Sequence, residues 1–266
     1  GLGAAAFAMS AALPIVAPVF HLPAPTGPYA IGTLTYHWVD TARSAAFASD
    51  PDARRELMVQ IWYPTTARTS APRAAYLPDA GAVAVAFARI QHKPEFVFGH
   101  LKYVTTHAMP FAPAASDPSS FPVLLFLEGA SGFRQMNTYQ VEQLVSQGYI
   151  VVAVDQPRVA ATVVFPDGRQ IAGLSLAQFR ATVRPSYMPR VSGPLLDGVA
   201  VPPGLARHAG SLVAYLAGDV AFTLDQLAGL NRADPNRILT GKLDLRRVGA
   251  FGISLGGIVV GEACRI

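Results

Sequence analysis

The stretch Val248-Gly249-Ala250-Phe251-Gly252-Ile253-Ser254-Leu255-Gly256-Gly257-Ile258-Val259-Val260 admits few structures. It is apolar on both sides of a single serine, with a glycine two residues before that serine and another two residues after. Val248 to Ile253 has the length and composition of a strand buried on both faces, and Leu255 to Cys264 reads as a helix with small residues at its start. A strand that passes directly into a helix forces the turn residue into a strained conformation and exposes its side chain at the sheet's carboxyl edge. Side chains at 252 and 256 would collide with the helix and the strand, so glycine relieves the crowding there, and Gly257 lets the helix pack close to the sheet. Ser254 is therefore the candidate nucleophile. The Leu255 N–H, at the helix N-terminus, is a candidate donor to an oxyanion. The bland alternative is an inert serine in a glycine-rich turn.

The same rhythm begins earlier. Val123 to Leu127 and Ile150 to Val154 are short continuous apolar runs, as expected of buried parallel strands. Between them Thr138 to Gln147 carries Tyr139, Val141, Leu144 and Val145 on one helical face, and Gly148 ends it. Ser211 to Leu230 is the longest amphipathic helix. Strands alternating with helices predict an α/β fold, a mostly parallel sheet with helices on both faces. Ahead of this core, Thr33 to Val39 and Leu57 to Tyr63 read as two antiparallel strands, with Arg43, Asp50, Asp52, Arg54 and Arg55 in a connecting loop. Thr65 to Phe121 reads as a long insertion with one short helix at Asp79 to Ile90, of the kind that covers or shapes a site. Val163 to Arg169 suggests a hairpin. Residues 174–207 form a possible cap excursion, with a helical candidate at Leu176 to Thr182.

Composition narrows the function classes. With 51% apolar and 14% charged residues, the chain is too apolar to be disordered and builds a buried core. The net charge of +4 is spread thinly, without a basic run or a basic-aromatic stripe, which argues against nucleic acid as a partner. Lysine occurs only at Lys93, Lys102 and Lys242, a usage that suits a GC-rich bacterial gene. Residues 1–20 hold no charge and read as a membrane-anchor or signal-like segment, or as an apolar arm packed on the domain. In the first case the folded part, residues 21–266, lies outside the cytoplasm, anchored to a membrane or secreted. The lone cysteine, Cys264, excludes an internal disulfide and is expected to be a core thiol.

A second oxyanion donor is expected from the turn after an earlier strand, Glu128-Gly129-Ala130-Ser131-Gly132, with the Ala130 N–H as the candidate and an ordinary turn as the alternative. A carboxylate beside a developing oxyanion opposes catalysis, so Glu128 is expected to point away and pair with Arg134. In a fold of this kind the acid and the histidine follow the serine along the chain. All six histidines (21, 37, 92, 100, 107 and 208) precede Ser254, as does every acid except Glu262. The expectation is a sequence truncated after the elbow, inactive by itself, whose triad partners lie further on. His208, beside Arg207, suits capping better than catalysis. Asp50 and Asp52 lack metal-ligand companions, and phosphate-loop and dinucleotide fingerprints are absent, so no metal or cofactor is expected.

The chain resembles the bacterial branch of the plasma-type (isoform II) platelet-activating factor acetylhydrolase family of α/β-hydrolases. Leu22-Pro23-Ala24-Pro25-Thr26-Gly27-Pro28-Tyr29 with Gly32-Thr33 is similar to the family's opening segment. Arg55 to Pro64, Phe121 to Phe126, Asp219 to Leu227 and Val248 to Gly257 resemble its early strand, the strand before the oxyanion loop, a helix and the elbow. The resemblance implies an α/β-hydrolase fold and a calcium-independent serine esterase that removes short acyl groups from phospholipids or similar esters. It implies a nucleophile at Ser254 and oxyanion donors at Leu255 and Ala130. Two positions depart from the family pattern: Glu128 stands where His precedes the loop glycine, and Ile253 where His precedes the serine. The implied partner is a small-molecule or lipid ester substrate, and a membrane-proximal N-terminus would suit the lipid. A competing reading is a non-catalytic binding module of the same fold, for which the lack of His or Asp after Ser254 speaks.

Overall fold

The computed structural model describes residues 19–46, 48, 50–67, 72–175, 177–179 and 212–265, together with Gly3. The segment 1–20 and the cap excursion 174–207, His208 with them, fall almost wholly outside the described residues. No helix among the described residues is long and apolar enough to cross a membrane.

The two N-terminal strands are longer than their apolar cores suggest. β1 is Ala30–Ser44 and β2 is Arg54–Thr65. They pair antiparallel in a register that sets Leu34 opposite Ile61, with an irregularity between Asp40 and Ser44. The insertion holds helix α1 (Ala80–Ile90), a 3-10 helix (Glu95–Tyr103) and the short β3 (Ala108–Pro110). The last two were expected to be loop. β4 (Phe121–Leu127), α2 (Thr138–Ser146) and β5 (Ile150–Asp155) follow the apolar rhythm closely. Gly148 takes φ +95° just past α2, a conformation that favours glycine and ends the helix. β6 (Thr162–Val164) and β7 (Gln170–Ala172) form the expected hairpin, and residues 177–179 are helical. Helix α3 (Leu212–Arg232), β8 (Leu243–Gly252) and helix α4 (Leu255–Ala263) complete the described chain.

The central sheet has the order β3-β1-β2-β5-β4-β8. β4 pairs in parallel with both β5 and β8, and β3 in parallel with β1, while β2 is antiparallel to both its neighbours. Strand alternation explains how one sheet is buried on both sides. Val123, Leu125, Leu127, Val152 and Val154 face one layer, where Leu216, Leu227, Leu255 and Val259 of α3 and α4 cover them. Phe126, Val151 and Ala153 face the other, where Val141 and Val145 of α2 cover them. Both layers are thus filled by helices, as the alternation of strands and helices requires.

Cys264 is a correction. It is exposed at the C-cap of α4, because the buried face of that helix is made by Leu255, Gly256 and Val259 and does not extend to it. Arg43 and Arg55 also leave the expected solvent loop. Arg55 is 1% exposed and donates to both carboxylate oxygens of Asp219, at 3.1 and 2.5 Å. Arg43 reaches the same carboxylate at 2.9 Å. A guanidinium so buried is tolerable only with such a partner, and the partner comes from α3, on the layer facing β2.

Candidate active site

β8 ends at Gly252 and α4 begins at Leu255, so Ile253 and Ser254 alone make the crossing. Ser254 has φ +51° and ψ −115°, a region that costs a non-glycine residue on the order of 1–3 kcal/mol. The turn is fixed by contacts that only glycine permits. A Cβ on Gly252 would lie 2.4 Å from the Gly256 carbonyl carbon, and one on Gly256 would lie 2.2 Å from the Leu127 carbonyl oxygen. The Ile253 N–H donates to the Leu127 carbonyl at 3.2 Å, tying the elbow to the end of β4. Ser254 is exposed, and its hydroxyl has no hydrogen-bond partner among the described residues.

The loop after β4 arrives beside it. A Cβ on Gly129 would stand 3.4 Å from Ser254 Cβ and 3.2 Å from the Ile253 carbonyl oxygen. The N–H groups of Ala130 and Leu255 have no acceptor among the described residues. An exposed serine hydroxyl on a strained backbone therefore lies beside the Gly129 turn at the carboxyl ends of β4 and β8, and the next residue of each segment, Leu255 and Ala130, carries an uncommitted N–H.

The loop is held from beneath by buried polar groups. Glu128 is fully buried, and its Oε1 accepts from the Gln156 N–H at 3.0 Å. It does not pair with Arg134 as expected. Arg134 makes a hydrogen-bonded ion pair with Asp155, whose Oδ1 also accepts the Arg134 backbone N–H at 2.5 Å, and it lies 3.7 Å from Asp79. Burial and the neighbouring Asp155 push the Glu128 carboxyl well above the usual range. Farther along, Ser131 takes φ +63° and its N–H donates to the Val159 carbonyl at 2.7 Å, while the Ala161 N–H donates to the Gly132 carbonyl at 2.8 Å. Gln135 donates to Gln60 Oε1 on β2 at 2.9 Å. Phe133 packs edge-on against Tyr76 and against Phe87 of α1. The insertion expected to shape the site therefore clasps this loop.

Ser254 and Leu255 thus lie beside the turn that carries Ala130, and the described histidines are not bonded there. His37 is bonded to Glu56 at 2.6 Å, His100 to the Val97 carbonyl at 3.0 Å and His107 to Glu142 at 2.8 Å; no described histidine is hydrogen-bonded to Ser254. Glu262 pairs with Arg265 on the exposed end of α4. Asp155 and Gln156 also support this loop, although the sequence does not single them out. Their signal was a charge directly after a fully apolar strand, in a chain poor in charge. Among the described residues no cluster of His, Cys, Asp and Glu could hold a metal ion.

Known proteins resemble this chain. A ferulic acid esterase from Streptomyces cinnamoneus is 28% identical over 93% of this chain, with a TM-score of 0.66. The chain spans 58% of that esterase's length. A cold-adapted esterase from an Arctic intertidal metagenomic library, solved as a PEG-bound complex, is 12% identical over 88% of this chain and 55% of its own, with a TM-score of 0.35. No curated protein matches. The architecture is the α/β-hydrolase fold. The family model for platelet-activating factor acetylhydrolase, isoform II, matches residues 15–170, more than half of the sequence, and the chain belongs to that family.

Proposed function

We propose that the protein is a serine carboxylic ester hydrolase that works through an acyl-serine intermediate. The observation that carries this reading is Ser254 itself: an exposed hydroxyl held at φ +51° beside the Gly129 turn, with the Ala130 and Leu255 N–H groups free to bind an oxyanion. Ser254 Oγ attacks the ester carbonyl and gives up its proton to a general base. The two N–H groups stabilise the tetrahedral oxyanion, whose collapse releases the alcohol. Water then repeats the sequence to free the acid. Since no described histidine meets Ser254, the base and its orienting carboxylate come from outside the described residues.

The family supports a short-chain acyl ester of the platelet-activating-factor type as substrate. A second reading, an aromatic carboxylic ester, draws on the likeness to the ferulic acid esterase. Hydrolysis of short-acyl phospholipids and of methyl ferulate by the full-length protein separates the two. In either case Ser254→Ala lowers kcat by roughly 10⁴-fold or more and abolishes fluorophosphonate labelling. Full labelling of Ser254→Ala would sink the assignment. A wild-type protein that hydrolyses neither ester and resists labelling would instead favour the binding-module reading.

A further inference from the structure

Glu128 is a buried carboxyl group that the acyl-serine mechanism does not use, yet it directly precedes the loop that the mechanism needs. Its side chain is enclosed by that loop. A Cβ on Gly132 would fall 3.0 Å from Glu128 Cβ and 3.3 Å from its Cγ, so the Gly129–Gly132 turn, closed by the Gly132 N–H donating to the Gly129 carbonyl at 2.9 Å, curls around it. On the other side its own carbonyl oxygen backs onto α4, within 2.6 Å of where a Cβ on Gly256 would lie. Oε1 accepts the Gln156 N–H from the end of β5, and Oε2 is buried with no hydrogen-bond partner among the described residues. Glu128 therefore touches three elements: the loop after β4 and the turn after β5 through its side chain and, through its backbone, the start of α4.

Its charged surroundings decide its form. The ionisable groups facing it are Asp155 on β5, Arg134 on its own loop and Arg55 on β2. Arg134 is bonded to Asp155 and flanked by Asp79, and Arg55 is bonded to Asp219 of α3. Both cations are thus committed to other carboxylates. An ionised Glu128 would be a buried charge with no cation of its own and one oxygen left without a donor, which is among the costliest arrangements in a protein. A neutral acid in the same place carries no buried charge and leaves only its O–H without an acceptor among the described residues, a smaller cost than an unpaired buried charge.

We propose that Glu128 is a positioning residue of the oxyanion loop and acts as an uncharged carboxylic acid. It fills the curl of the turn, fixes the loop to the strand-end at Gln156, and presents the Ala130 N–H to the oxyanion without placing a negative charge behind it. This also accounts for an acidic residue beside a site of developing negative charge. The proposal rests on the reading of Ala130 as an oxyanion donor.

The test compares full-length wild type, Glu128→Gln and Glu128→Ala. The glutamine variant copies the size and the neutrality of the uncharged acid, whereas the alanine variant empties the curl. Glu128→Ala is expected to lower kcat by roughly 10- to 100-fold with KM changed by less than about twofold, and Glu128→Gln to restore most of the loss. Urea unfolding of wild type and Glu128→Gln across pH supplies a readout that needs no activity. A carboxyl whose folded-state value lies above the ordinary 4.5 stabilises the fold fully below that pH and loses the contribution as pH rises through the folded value. Wild type should therefore lose stability relative to Glu128→Gln as pH rises from about 4.5. A difference that is flat, or that moves in wild type's favour with pH, overturns the uncharged form. Wild-type kcat in a folded Glu128→Ala overturns the positioning role. Failure of the esterase reading itself would show separately, as activity that survives Ser254→Ala.

Discussion

The two parallel strands that meet at the site cross into their helices in opposite ways. β8 reaches α4 through Ile253 and Ser254 alone, and the constraints there are mainly steric: bare glycines at 252 and 256 and a backbone bent past its comfortable range, with a hydrogen bond from the Ile253 N–H to the end of β4. β4 reaches α2 through residues 128–137, and nearly every constraint there is polar and distant: Gln156, Asp155, Gln60 and Val159 each hold one point of the loop. One crossing is rigid because nothing else fits. The other is rigid because its polar atoms have partners that only the folded core supplies.

Substitutions should therefore act differently at the two crossings. Gly256→Ala forces a methyl group to 2.2 Å from a backbone oxygen that cannot rotate away, and we expect it to cost about 4 kcal/mol or more and to leave little folded protein on expression. Gly81→Ala, in an exposed position of α1 with nothing within 4 Å, is the control and should be tolerated. At the polar crossing, Arg134→Met strands the buried Asp155 carboxylate and should cost about 3–5 kcal/mol by urea denaturation at neutral pH. The loss should shrink as acid protonates Asp155, whereas the glycine defect should be indifferent to pH. Equal pH dependence for the two variants would remove the contrast. The smallest effect is a gain: Ser254→Gly releases the positive-φ strain and should raise stability by about 1 kcal/mol while abolishing turnover. A Ser254→Gly protein no more stable than wild type would mean that the elbow stores no strain.

The steric crossing was legible in the sequence because its determinants are local. Two glycines bracket one serine between two apolar runs, and the fold follows from those residues alone. The alternation of β4, β5 and β8 with helices was readable for the same reason. β3 was not, since Ala108-Met109-Pro110 is too short to show a period and becomes a strand only by pairing with Ile31 to Thr33. Arg55 read as a loop residue because its partner, Asp219, lies 164 positions away on another element. Glu128 and Arg134 are near neighbours of opposite charge, and proximity in sequence suggested a pair. Asp155 outcompetes Glu128 for the guanidinium because it also accepts the Arg134 backbone N–H, a geometry set by strand order. Polar partnerships of this kind belong to the topology of the sheet, which a run of letters does not carry.

The ring of Phe133 lies between Tyr76 and Phe87, both from the insertion, at centroid distances of 6.3 and 5.9 Å. The Gly129–Gly132 loop thus has two supports: a sheet whose strands are buried on both faces, and a peripheral module of one short helix and a 3-10 helix. The proposed hydrolysis thereby depends on the insertion as well as on the sheet. Loosening of the insertion alone would release Phe133 and free the loop beside Ser254 while the sheet beneath it is still whole.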